Sequence, residues 1–346
     1  MKKIVLIFLA TILSKIIFSQ SGQTNSSGDN ILRDKMVINN YYNYRTDSVE
    51  KKVDDAVQAT LDKYETYDQD DWAKKGFMEW LKKHEYKKAT VSFSRALSFN
   101  QYSYQVYYGR GECYYQLKKY DKAIQDFSAA LYWASKDTSS LTGIYVRRAQ
   151  TYWLTKQNKK AIQDYTEVTK LSPQNALAYT YRGSIYTLIK QYDSAMNDLN
   201  KGFLLDPNFF YTYYFRAELY AEMKEYAKAE KDLNKAILIA PKDANSYNLS
   251  GYIYNKLSEN KKAIVVLNKA IELDSTFAYA FNNRGFAYYN LKQYSIALVD
   301  INKSLLMDSR NAMAYYNRGL VYQATNEIEK AKIDFAKAKE LEPETY

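Results

Sequence analysis

Residues 208–241 read NFFYTYYFRAELYAEMKEYAKAEKDLNKAILIAP and close on Pro241, 34 residues after Pro207. Pro173 lies 34 residues before Pro207, and Pro343 lies 102 residues, three more periods, after Pro241. These four are all the prolines in 346 residues, and nothing in an irregular globular enzyme would hold them in phase. A chain of this length outgrows a single core, so the phase points to a repeat array.

Other columns keep the same period. A small residue recurs at Gly183, Ala217, Gly251, Gly285 and Gly319, and a tyrosine follows at Tyr186, Tyr220, Tyr254, Tyr288 and Tyr322. Twelve residues after the small column come Ala195, Ala229, Ala263, Ala297 and Ala331. Gly111, Tyr114 and Ala123, then Ala149, Tyr152 and Ala161, extend the register backward, with four residues inserted near Lys136 to Ser140. A degenerate copy surrounds Gly76, Trp80, Tyr86, Ala89, Phe93 and Ala96, making eight copies. A small residue lets two antiparallel helices approach, and aromatics three or four places away share its face. A polar turn such as Lys224-Glu225-Tyr226 separates the helices, and proline ends the second one.

This pattern resembles the tetratricopeptide repeat family, whose signature places Trp, Leu-Gly, Tyr, Ala, Phe and Pro at these spacings. The resemblance covers about residues 70 to 346. Tyrosine, or Phe281, stands where the family often has Trp, and arginine where it often has Leu. It implies an all-α fold, an α-solenoid of antiparallel helix pairs with a 34-residue period, wound as a right-handed superhelix. The copies run 70–103, 104–141, 142–175, 176–209, 210–243, 244–277, 278–311 and 312–346. Such proteins bind peptides or protein segments in a concave groove and are not enzymes.

An internal covariation predicts ion pairs. The residue before the small column is Arg110, Arg148, Arg182, Arg216, Ser250, Arg284 and Arg318. Sixteen residues later stand Asp126, Asp164, Asp198, Asp232, Val266, Asp300 and Asp334. The one copy without Arg is the copy without Asp. That match holds only for pairing inside a copy, so six structural Arg–Asp bridges are expected between the two helices of a pair. These arginines are thereby withdrawn from ligand binding.

The family geometry implies a groove lined by first-helix residues. Early in the array these are Tyr108, Glu112, Tyr115, Arg147, Gln150, Trp153, Tyr181, Tyr211, Tyr214, Phe215 and Glu218. Later they are Asn245, Asn248, Tyr252, Asn255, Tyr279, Asn282, Asn283, Phe286, Tyr289, Tyr316 and Asn317. Tyrosine offers a broad face with a polar tip, and asparagine both donates to and accepts from a peptide backbone. Asn282, Asn283 and Asn317 are therefore expected to clamp a bound backbone. The basic constellation with which some family members grip a C-terminal carboxylate is missing from the matching positions.

Catalytic chemistry has little support. One Cys and one His exclude a disulfide framework, a cysteine zinc cage and an HExxH site. His84 falls in a turn and Cys113 inside a first helix, where each reads as structural. No nucleophile elbow, Walker loop or dinucleotide-binding glycine pattern stands out. No cofactor or metal is expected. The net charge of +10 reads as lysines on solvated helix faces, since no arginine-rich run or nucleic-acid motif accompanies it.

Residues 1–19 carry Lys2 and Lys3, the apolar run Ile4 to Leu13 and a small Ser19, the form of a secretory signal. The run is too short to span a bilayer permanently. Residues 20–69 open on a Ser/Gly/Asn linker and then carry Val49, Val53, Val57 and Leu61 at four-residue spacing. Asp47 to Tyr67 is either a helix capping the first copy or a segment of transient helix. The reading is an exported, periplasmic or secreted, non-catalytic scaffold for a protein or peptide. Two alternatives stand beside it: saccharide or cell-wall binding through stacked aromatics, and an envelope assembly packed through an outer column of Val265, Val299 and Ile333. Sequencing the N-terminus of the mature protein is expected to return Gln20 first; an intact Met1 would overturn the signal.

Overall fold

The structure, a computed structural model, describes residues 68–134 and 138–345. The signal segment, the linker and the helix expected from Asp47 to Tyr67 lie outside the described residues. The chain divides into two compact units, one ending at Gln157 and one beginning at Asn158.

In the first unit run α1 (Gln69–Leu81), α2 (Tyr86–Phe99), α3 (Tyr104–Gln116), α4 (Tyr120–Trp133) and α5 (Thr138–Leu154). In the second run α6 (Asn158–Leu171), α7 (Ala176–Leu188), α8 (Tyr192–Leu205), α9 (Phe210–Glu222) and α10 (Tyr226–Ile239). They are followed by α11 (Ala244–Lys256), α12 (Asn260–Leu273), α13 (Ala278–Asn290), α14 (Tyr294–Met307), α15 (Ala312–Ala324) and α16 (Ile328–Leu341). Each first helix packs most closely on the helix that follows it: α1 on α2 and α3 on α4 in the first unit, α7 on α8 through α15 on α16 in the second. Successive first helices also touch, as α7 does α9 and α11 does α13.

The small column explains the tight pairing. A Cβ on Gly319 would stand 2.7 Å from the Phe335 ring, and one on Gly111 2.8 Å from the Phe127 ring. A large residue of the second helix fills the space the missing side chain leaves. Leu199, Leu233, Leu267 and Ile301 do so in successive copies and are fully buried. Burying such a side chain contributes about 1.5–3 kcal/mol, repeated once per copy.

The first helices end alike. In α9 the Glu225 N–H donates to the Tyr220 carbonyl at 2.8 Å and the Lys224 N–H to the Ala221 carbonyl at 3.0 Å. This pair of bonds is the Schellman closure. It recurs with Gln191 on Tyr186, Glu259 on Tyr254, Gln293 on Tyr288 and Glu327 on Tyr322. The tyrosine column thus also supplies the carbonyl that closes each helix. The turn needs one residue in the left-handed region, and lysine occupies it at Lys118, Lys156, Lys190, Lys224 and Lys292, with φ of 58–61°. His84 occupies the same kind of position between α1 and α2 and is exposed.

Five copies join arginine to aspartate by a two-pronged fork. Arg216 Nε donates to Asp232 Oδ2 at 2.7 Å and Nη2 to Oδ1 at 2.9 Å. Arg110 with Asp126, Arg182 with Asp198, Arg284 with Asp300 and Arg318 with Asp334 repeat it. Arg148 and Asp164 belong to different units; Arg148 donates through Nη1 to Ser128 at 3.0 Å. The remaining prong of each fork arginine reaches the preceding copy. Arg110 donates to Ser94, Arg182 to Thr166, Arg216 to Asn200, Arg284 to Asn268 and Arg318 to Asn302, at 2.7–3.1 Å. One guanidinium therefore ties three helices. Replacing Arg216 by Met, which strands the mostly buried Asp232, is expected to cost about 3–5 kcal/mol in urea unfolding of the full chain. Loss of less than about 1 kcal/mol would show that the fork contributes little.

Candidate binding groove

The exposed-or-tied fate of each first-helix residue follows from its place in the helix. Counted from the helix start, the fifth and ninth residues are Tyr108 and Glu112 on α3, Tyr214 and Glu218 on α9, Asn248 and Tyr252 on α11, and Asn282 and Phe286 on α13. The residue just before the fork-arginine column of the next first helix, sixth in the copy's register, reaches back toward these two.

In the first unit this contact is an ion pair. Arg147 Nε lies 2.7 Å from Glu112 Oε1, and Nη2 donates to Oε2 at 2.7 Å. Arg147 also donates to Gln150 Oε1 at 3.1 Å, and its guanidinium lies 5.3 Å from the Tyr115 ring centroid. Glu112 is 2% exposed. The Tyr108 hydroxyl hydrogen-bonds to this pair, and burial, reinforced by the Glu112 charge, pushes it well above the ordinary tyrosine range. Trp153 is half-buried.

In the second unit the same contact is an amide tie. Asn283 Nδ2 donates to Asn248 Oδ1 at 2.9 Å, and Asn317 Nδ2 to Asn282 Oδ1 at 3.0 Å. Asn255 Nδ2 donates to the Asn283 carbonyl at 2.8 Å. Asn282, Asn283, Asn317 and Asn255 are buried, as is Phe215. This corrects the expected backbone clamps: an amide enclosed between adjacent helices cannot reach a bound peptide, even where, as at Asn282 Nδ2, one of its atoms has no partner. Phe215 belongs to an aromatic cluster, 5.4 Å from Tyr181 and 5.4 Å from Tyr214, with Tyr181 in turn 5.7 Å from Tyr211. Phe215 and Tyr181 therefore serve packing between copies.

What remains open is aromatic. Tyr211 and Tyr316 are each 37% exposed and Tyr279 47%. Asn248, Tyr252, Phe286 and Tyr289 are half-buried beside them, with Phe286 and Tyr289 stacked at 5.9 Å. Lys256 lies 5.2 Å over the Tyr252 ring. The sequence reading missed that three of the ties, Glu112–Arg147, Asn248–Asn283 and Asn282–Asn317, all join residues 35 apart. For the two amide ties, spacing of one more than the period was the available signal; the ion pair falls at 35 because its copy carries the four inserted residues.

Two acids stand out on α9. Burial pushes the Glu218 carboxyl from the ordinary 4.5 to about 7, with nearby Tyr214 opposing and the Glu222 charge adding to the rise. Burial likewise pushes the Tyr214 hydroxyl well up, with Glu218 adding to it. Among the described residues neither Glu218 nor Glu222 takes part in an ion pair. The one thiol, Cys113, is fully buried and pushed upward by that burial, so it is held as a neutral core filler.

These features define a helical repeat scaffold with an aromatic first-helix face. Models of the tetratricopeptide repeat match residues 104–132, 142–175, 176–209, 210–243 and 312–345, and a TPR repeat model matches 251–292. The matches together cover more than half of the sequence, and the chain belongs to the tetratricopeptide repeat family. A tetratricopeptide repeat protein from Parabacteroides merdae aligns with a TM-score of 0.61 at 20% identity, over 73% of this chain and 98% of its own. A chain of the APC/C hetero-tetramer Cut9–Hcn1 aligns with a TM-score of 0.59 at 16% identity, over 75% of this chain and 50% of its own. Yeast Tom70 aligns with a TM-score of 0.54 at 17% identity, over 80% of this chain and 61% of its own. No curated protein matches the sequence significantly.

Glu218 gives a pH test with a definite sign. Between pH 4.5 and about 7 the folded protein keeps a proton that the unfolded chain releases, so stability falls as pH rises through that window. Glu218→Gln removes the ionisation. The variant is expected to melt above the parent at pH 8, with the difference vanishing toward pH 4; a difference independent of pH would show that Glu218 titrates normally.

Proposed function

We propose that the open first-helix face of the second unit binds an extended segment of another protein and performs no chemistry of its own. A tetratricopeptide repeat array is a scaffold for protein–protein interaction, and the question is which face it uses. The observation that carries this reading is the row Tyr211, Tyr279 and Tyr316, left exposed where the neighbouring first-helix residues are spent on packing and ties. Tyrosine presents large contact area with few rotors to freeze, which suits recognition of a chain that must be ordered on binding. The leader-like residues 1–19 support a site of action outside the cytoplasm, in the periplasm or beyond.

A second reading rests on a different row. Val265 on α12, Val299 on α14 and Ile333 on α16 are 68%, 67% and 69% exposed and share one second-helix column. Aliphatic side chains so exposed at one-copy spacing suit packing against an assembly partner. The two readings separate by substitution. Changing Tyr211, Tyr279 and Tyr316 together to Ala is expected to weaken binding of library-selected peptides at least about tenfold while the melting temperature stays within a few degrees. Val265→Asp with Val299→Asp and Ile333→Asp is expected to leave that binding unchanged. The reverse outcome moves the site to the second helices.

A further inference from the structure

The first unit shows what the Tyr–Glu pair of these columns does with a cation. Tyr108 and Glu112, fifth and ninth on α3, hold the Arg147 guanidinium by an ion pair with one Nη2–Oε2 hydrogen bond, with the Tyr115 ring 5.3 Å away. Tyr214 and Glu218 are fifth and ninth on α9. The residue that stands where Arg147 does, sixth in the copy's register on the next first helix, is Leu249. Leu249, Tyr214 and Tyr252 pack on the same apolar cluster around Ala217 and Ile253. The acid and the phenol are therefore kept, and the cation is gone.

The loss is not made good nearby. Glu218 and Glu222 lack ion pairs among the described residues, and Lys256 on the next first helix lies over the Tyr252 ring. A half-buried carboxyl beside Tyr214, with no cation, carries a desolvation cost that nothing offsets. We propose that Tyr214 and Glu218 form a receptor for the guanidinium or ammonium group of an arginine or lysine carried by the bound segment, taking from outside what Arg147 supplies within the first unit. This rests on the reading of the first-helix face as the binding face and adds the chemistry of its ligand. Arginine fits better than lysine, because a planar fork can engage both carboxylate oxygens while its face lies on a ring. The raised carboxyl of Glu218 agrees with it, since an incoming cation would draw off the proton that burial retains.

Panning a random dodecapeptide library on the full chain supplies the probe. The enriched peptides are expected to share a basic residue at one fixed position. Citrulline, which keeps the shape of arginine and removes its charge, is expected to weaken the selected peptide about tenfold or more when placed there. Glu218→Gln is expected to erase the difference between arginine and citrulline. Leu249→Arg, which restores the internal arrangement of the first unit, is expected to erase it as well, with helix content checked by circular dichroism for both variants. Enriched peptides without a basic position, or a citrulline penalty that survives Glu218→Gln, overturn the receptor. If such peptides still lose binding on changing Tyr211, Tyr279 and Tyr316, the binding face stands and only the cation assignment falls. If the library yields no binder, the face and the receptor fall together.

Discussion

The fork between arginine and aspartate is the constraint on which the array depends. Its two prongs fix the crossing of the helices within a copy, and its third bond fixes the next copy against the last. Repeat proteins have no long-range core, so stability is set by each copy and by each junction. A residue that serves both at once cannot be exchanged alone. The copy with Ser250 and Val266 shows the rule by its exception. Asn234, which holds the place of Asn200 and Asn268, is exposed there. The α10–α11 junction is tied instead by Tyr254, whose hydroxyl donates to Glu230 at 2.9 Å. Charge has been removed from both sides of the fork together and a different hydrogen bond installed.

Eleven of the 37 tyrosines follow from the same geometry. In each copy the fork arginine is flanked by aromatic residues three before and four after it. The Arg318 guanidinium lies 5.5 Å from the Tyr315 ring and 5.9 Å from Tyr322, and Lys330 covers Tyr322 at 5.3 Å. An aromatic face near a half-buried cation adds about 0.5–2 kcal/mol, which an aliphatic residue would not. Tyrosine also keeps its hydroxyl at the wet edge of the helix pair. This part of the abundance is thus a packing solution copied from repeat to repeat.

The fold was legible because a single period runs through several columns, and even the fork could be read from the joint loss at Ser250 and Val266. Contacts between copies were less legible. They join the residue before the fork-arginine column of one first helix to the fifth or ninth residue of the one before, so the amide ties fall at 35 residues and slip past a search made at 34. Hence Asn282, Asn283 and Asn317 read as groove residues, although the structure turns them into ties. Lysine in the left-handed turn was hidden for another reason. Glycine or asparagine announces that conformation, and lysine adopts it here only because two carbonyl bonds of the closing helix hold it.

These assignments narrow where function can vary. The small, tyrosine, alanine, arginine and aspartate columns are committed to structure in nearly every copy. The fifth, sixth and ninth residues of the first helices are not: the same three places hold an ion pair in one unit and amide ties or an aromatic cluster in the other. A place that is internally satisfied contributes rigidity, and a place that is left unsatisfied contributes binding. Glu112 and Glu218 differ in just this respect, since one pairs with Arg147 and, in the register of the other, Leu249 takes that place. Specificity in such an array therefore arises by deleting an internal partner as much as by adding a contacting residue, because the deletion leaves a shaped and desolvated group that only a complementary ligand repairs.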